Sequence, residues 1–102
     1  MTLLNESNNK IALSEHAIKR IKQRLGIKRR AAKKTAQRAF DRGITLHNAK
    51  GELKWYLKKI YLNYGKADNI RVYGMHVFLF AEATLITVYH LPRNLYMKAL
   101  KT

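Results

Sequence analysis

His16, Arg20 and Arg24 recur at i, i+4 and i+8 in the segment SEHAIKRIKQRLG. On a helix this spacing lines them along one side, drifting only about 40° per step. A histidine moves protons near neutral pH. Two guanidiniums beside it can grip a phosphate bidentately and stabilise the charge that builds on a pentacoordinate phosphorus. Cleavage of RNA by its own 2′-hydroxyl needs a base, an acid and a cation, and it needs no metal. An amphipathic basic helix with one incidental histidine has the same spacing, so the pattern alone leaves both readings open.

A second candidate group is Thr87-Val88-Tyr89-His90, at the end of a β-branched run. In a strand Thr87 and Tyr89 share one face, and Ile86, Val88 and His90 share the other. A hydroxyl pair there can orient a phosphate or donate a proton. Tyr89 or His90 would supply the second proton-transfer group. Threonine and tyrosine are also ordinary strand formers, which is the plainer account of both.

The third group is cationic. Lys19 to Arg42 holds 11 basic residues, opposed only by Asp41. Within it, Lys28, Arg29, Arg30, Lys33, Lys34 and Arg38 are candidate phosphate contacts, and Arg30, Lys34 and Arg38 recur at helical spacing. Trp55, inside Lys54-Trp55-Tyr56-Leu57-Lys58-Lys59-Ile60-Tyr61, is the aromatic best suited to stack an unpaired base. Most of the other rings there suit a core. Gln37 is the one plausible base reader if the first two helices mimic a helix-turn-helix around Gly26.

Composition narrows the rest. The 102 residues allow one domain, 1–102, with residues 1–10 as a loose arm and 93–102 as a basic tail. Lys+Arg is 21 against 6 Asp+Glu, a formal net charge of +15. Such an excess suits a polyanionic partner: RNA first, DNA as an alternative, or an acidic antitoxin or inhibitor protein. Cysteine is absent, which excludes disulfides, thiolate metal sites and a cysteine nucleophile. The six carboxylates are scattered singly and the four histidines lie far apart, so no metal or other cofactor is expected. No apolar run is long enough for a membrane span and no signal peptide opens the chain, so a cytoplasmic protein without membrane contact is expected.

The elements that must position these residues follow from periodicity. Ser14 caps a helix over 14–25, with Ile18, Ile21 and Leu25 on its apolar face and Gly26 as its stop. A second helix runs over 28–42 on an alanine stripe, Ala32, Ala36 and Ala39, with Phe40. A third runs over 52–63. Three strands follow at 70–73, 76–80 and 84–90, the first two joined by Gly74-Met75 in a type II′ turn. The fold class is α+β: two or three N-terminal helices packed on one face of a small antiparallel sheet of three to four strands. A fourth strand would come from Ile44–His47 or from the 52–64 segment.

Together, SEHAIKRIKQR and the closing RVYGMHVFLF and LITVYHLP resemble a broad group of small bacterial and phage-borne proteins. Its members have an H-A-x-x-R-x-x-x-R helix and a last strand like ITVY. This is the barnase/EndoU/colicin/RelE-type (BECR-like) ribonuclease and toxin superfold. The resemblance covers the helix at 14–25 and the strands at 70–90, about a third of the chain. It implies His16 as acid/base residue, Arg20 and Arg24 as phosphate contacts, and Thr87 and Tyr89 lining the site. It also implies a toxin-like, metal-independent endoribonuclease acting on transfer or messenger RNA and leaving 2′,3′-cyclic phosphates. The alternative expectation is a non-catalytic nucleic-acid-binding protein or a phage regulatory or inhibitor protein, since fold alone confers no activity. Closing a site from these residues requires the first helix to lie at the sheet edge, or its N-terminus to meet the last strand.

Overall fold

A computed structural model of the chain describes residues 10–102, so the arm expected at 1–10 lies outside the described residues except for Lys10. The element order is β1 (Ala12–Leu13), α1 (Glu15–Leu25), α2 (Arg29–Arg42), α3 (Gly51–Asn63), β2 (Asn69–Tyr73), β3 (His76–Ala81) and β4 (Thr84–His90). A 3₁₀ turn at Arg93–Leu95 then leads into α4 (Tyr96–Leu100). The fold is α+β, with strand order β1-β4-β3-β2. β2, β3 and β4 form the antiparallel meander, and the two-residue β1 pairs parallel to β4. The fourth strand is therefore Ala12–Leu13. Ile44 contributes only a single bridge to Val72, and residues 51–63 are helical.

Helices cover both faces of the sheet rather than one. The reason is legible in β3, where Val77, Phe78, Leu79 and Phe80 are all buried. A strand apolar on both sides needs a cover on each. Phe78 and Phe80 pack with Leu85 and Val88 under Ala17 and Ile21 of α1 and Ala32, Ala36 and Ala39 of α2. The small alanines bring α2 close enough for Phe40 to meet Phe80 edge-on, with ring centroids 5.1 Å apart. Val77 and Leu79 pack on the other face with Ile70 and Val72 under Leu53 and Leu57 of α3. Leu91, Leu95 and Ala99 complete that layer, so the basic tail is seated through its apolar residues.

Two local features govern how closely the layers approach. Gly43, after α2, has an ordinary φ of −64°. It is needed for space: a Cβ there would meet Ala39 O at 2.5 Å and Arg71 Cβ at 2.7 Å. Arg71 donates from Nη1 to Gly43 O at 2.9 Å, and burial lowers its pKa against the opposing pull of Asp41. The β2–β3 hairpin turns at Gly74 (φ 57°) and Met75 (φ 64°). Positive φ at both positions makes this a type I′ turn, not the type II′ turn expected from Gly-Met: both primed types match the twist of the flanking strands, and they differ at the second residue, where Met75 takes the left-handed conformation.

Candidate active site

α1 is held at both ends to β4. At its start Ser14 both ties the helix to β4 and caps it. Its N–H donates to Leu85 O at 3.1 Å, its hydroxyl donates to Ile86 O at 3.3 Å, and its Oγ accepts from Ala17 N at 3.0 Å as the helix N-cap. The two carbonyls belong to a bulge, where the β3–β4 register shifts around Ile86. At the other end Arg24 donates from Nη1 to Val88 O at 2.6 Å. β1 reaches only Leu85, so beyond that residue β4 is an open edge and Arg24 occupies it.

This arrangement decides which candidates meet. The buried face of α1 is Ala17 and Ile21. His16 and Arg20 sit one residue earlier in each turn, about 100° round the helix. The stripe His16–Arg20–Arg24 therefore flanks the packed face instead of lying opposite it, on the side of the open β4 edge. Arg20 donates from Nε to His16 Nε2 at 3.2 Å and from Nη1 to Gln23 Oε1 at 3.1 Å. Arg24 stacks over the Tyr89 ring, 5.1 Å from its centroid, and Tyr64 at the end of α3 closes on the same ring at 5.9 Å.

Thr87 does not join them. It pairs with Leu79 on the α3 side of the sheet and is 3% exposed. Tyr89 shares that face but is half-buried and reaches the edge. Val88 lies on the α1 side with Phe78, as alternation requires, while the bulge turns Ile86 to the α3 layer. Four of the five candidates thus gather along α1 and the β4 edge in two pairs, His16–Arg20 and Arg24–Tyr89. Eight helical residues separate His16 from Arg24, about 12 Å along the axis.

The expected nucleic-acid contacts fall on two surfaces. Lys28, Arg29, Arg30, Lys33, Lys34 and Arg38 are all exposed on or beside α2. Arg29 contacts Glu15 at 3.4 Å in an ion pair exposed on both sides, which leaves its charge largely available. An open cleft of about 670 Å³ runs between α1 and α2, with Leu13 and Ile18 beside Arg29, Arg30 and Lys33. Trp55 is 64% exposed but stands on α3, across the sheet from that cleft. Gln37 is engaged within the fold: its Oε1 accepts from Ile11 N at 3.1 Å and its Nε2 donates to Asp41.

Tyr64 and His76 are contacts that pattern reading leaves out. Tyr64 has a helical spacing signal but nothing to aim it at Tyr89. His76 lies directly across from His90, and only the bulge places it there. Among the described residues, no group of three or more His, Asp or Glu comes together as a metal site, and no helix is long and apolar enough to cross a membrane. The chain matches no protein-family model, no curated protein and no solved structure.

Proposed function

We propose that this chain binds RNA through the cationic surface of α1 and α2 and cleaves it without a metal at the His16–Arg20 pair. The observation that carries the reading is the bond from Arg20 Nε to His16 Nε2, on a stripe with which no carboxylate among the described residues forms an ion pair. A phosphate arriving at Arg20 draws the guanidinium away and frees the Nε2 lone pair. His16 then takes the proton of the adjacent 2′-hydroxyl, O2′ bonds to phosphorus and the P–O5′ bond breaks. Arg20 offsets the charge gathering on the phosphoryl oxygens. Tyr89, on β4, is held at Arg24, about 12 Å along the α1 axis from His16, too far to act as acid at the same phosphorus, so the 5′ oxygen takes its proton from water. One general base contributes about 10²–10⁴-fold, so cleavage is slow. Arg24, Tyr89 and Tyr64 offer the next nucleotide a cation and stacking rings. The resemblance to the barnase/EndoU/colicin/RelE-type group supports the same assignment for His16, Arg20 and Arg24; it implies Thr87 as well, but burial of Thr87 on the α3 side of the sheet leaves that residue without a role at this site.

A second reading is non-catalytic binding of RNA or DNA, or a phage regulatory role. It is favoured by the burial of Thr87 and the engagement of Arg24 with Val88 O, which leave His16 without a second proton donor. An acidic inhibitor or antitoxin would cover the same stripe. Incubation with total and transfer RNA in excess EDTA separates the readings. Cleavage by wild type, cyclic-phosphate ends and loss in His16→Ala are expected. Intact RNA, bound equally by wild type and His16→Ala with a log–log salt slope of about −0.7 per phosphate contact, would establish binding alone.

A further inference from the structure

His76 and His90 are direct cross-strand partners on β3 and β4, at the end of the sheet. Their rings lie 4.8 Å apart, centroid to centroid, inclined at 44°. His76 Nδ1 lies 2.8 Å from Gly74 O. A carbonyl only accepts, so this contact puts the proton on Nδ1 and leaves the Nε2 lone pair available. That Nε2 is buried and has no hydrogen-bond partner among the described residues. An orphaned imidazole nitrogen behind a backbone-anchored N–H is the arrangement of a metal-ligating histidine, whose other nitrogen is held by a carbonyl.

We infer that His76 and His90 form a two-imidazole site for a borderline divalent transition ion such as Zn²⁺. The spacing fits. With metal–nitrogen bonds of 2.0–2.1 Å and near-tetrahedral angles, two imidazoles on one zinc have centroids about 5 Å apart. His76 sits in the central strand with its ring pinned by Gly74. His90 is exposed and free to turn its ring toward the ion. The strand pair provides the backbone rigidity that a two-ligand chelate needs. Two protein ligands leave the other coordination positions to water or an anion, so the site is open and exchangeable. It is independent of the cleavage chemistry proposed for His16.

The experiment is a Zn²⁺ titration of the tag-free full chain, followed by calorimetry and by the imidazole nitrogen resonances of all four histidines. One equivalent is expected to shift His76 Nε2 and the His90 ring, leaving His16 and His47 unmoved. Mg²⁺ at the same concentration is expected to move none of them. His90→Ala removes an exposed side chain, so it folds, and it should weaken binding by more than about tenfold. An affinity unchanged in His90→Ala, or Zn²⁺ shifts confined to His16 or His47, would overturn the assignment. Because the readout is metal binding in the absence of RNA, its failure leaves the cleavage proposal standing, and the reverse also holds.

Discussion

Replacing Arg24 with methionine tests whether α1 is held to the β4 edge by the contacts described above. Methionine keeps most of the apolar stem and removes the donors and the charge. The bond from Nη1 to Val88 O is charge-assisted, a class worth about 1.5–3 kcal/mol. Water reaches an open strand edge and partly replaces the lost donor, so the lower end, about 1.5 kcal/mol, applies. The guanidinium over the half-buried Tyr89 ring adds about 0.5–1 kcal/mol. Arg24→Met should therefore cost about 2 kcal/mol. In a domain of this length that lowers Tm by roughly 8–16 °C. Urea unfolding followed by far-ultraviolet circular dichroism reads the midpoint and the slope together. Tyr89→Leu, combined with Arg24→Met in a double-mutant cycle, should isolate a coupling of about 0.5–1 kcal/mol. A loss under about 0.5 kcal/mol at an unchanged slope would refute the reasoning: α1 would then be positioned without Arg24.

Gly43→Ala should cost about 2–3 kcal/mol, the upper range for overpacking, because the new Cβ meets the Ala39 carbonyl and Arg71 Cβ inside 3 Å; thermal unfolding checks it. Glu82→Asn should stabilise by about 0.5–1 kcal/mol, since Glu82 is exposed with φ at 48° in the β3–β4 turn and asparagine tolerates that region better; the same unfolding assay reads the gain. Burial raises the pKa of the Tyr56 phenol, so the unfolded chain loses that proton first as pH rises. Its effect is absent at neutral pH and lowers stability above about pH 10, where the folded state holds more protons. Tyr56→Phe should lessen the alkaline fall in urea midpoint relative to wild type.

Much of this fold is legible in the residues because local signals agree with it. Ser14 and Gly26 bracket α1 as cap and stop, and the β4 bounds follow from its β-branched run and Pro92. Non-local pairing is what sequence patterns miss. Ala12–Leu13 is too short to have a period, and its parallel partner lies far along the chain. The bulge at Ile86 has no local signature either. A two-residue turn at Glu82-Ala83 with regular pairing would set His76 against Tyr89, and the extra residue sets it against His90 instead. The candidate site divides in the same way. The i, i+4, i+8 stripe is a property of one helix and so is legible. Whether Thr87 meets that stripe depends on which face of the sheet α1 covers, and alternation along a strand does not say which face is which.

The staples at Ser14 and Arg24 also order events in time. Ser14 bonds to a residue 72 positions later, and Arg24 to one 64 positions later. Closing a loop of that length costs about 1.7 kcal/mol more than closing one of ten residues. The β2–β3 hairpin and the helices involve short separations and can form early. Docking of α1 waits for β4, one of the last elements to be made. A growing chain therefore presents the cationic segment well before Tyr89 exists to meet Arg24. Throughout synthesis, beside the RNA of the ribosome that makes it, the protein carries its charge without its assembled edge.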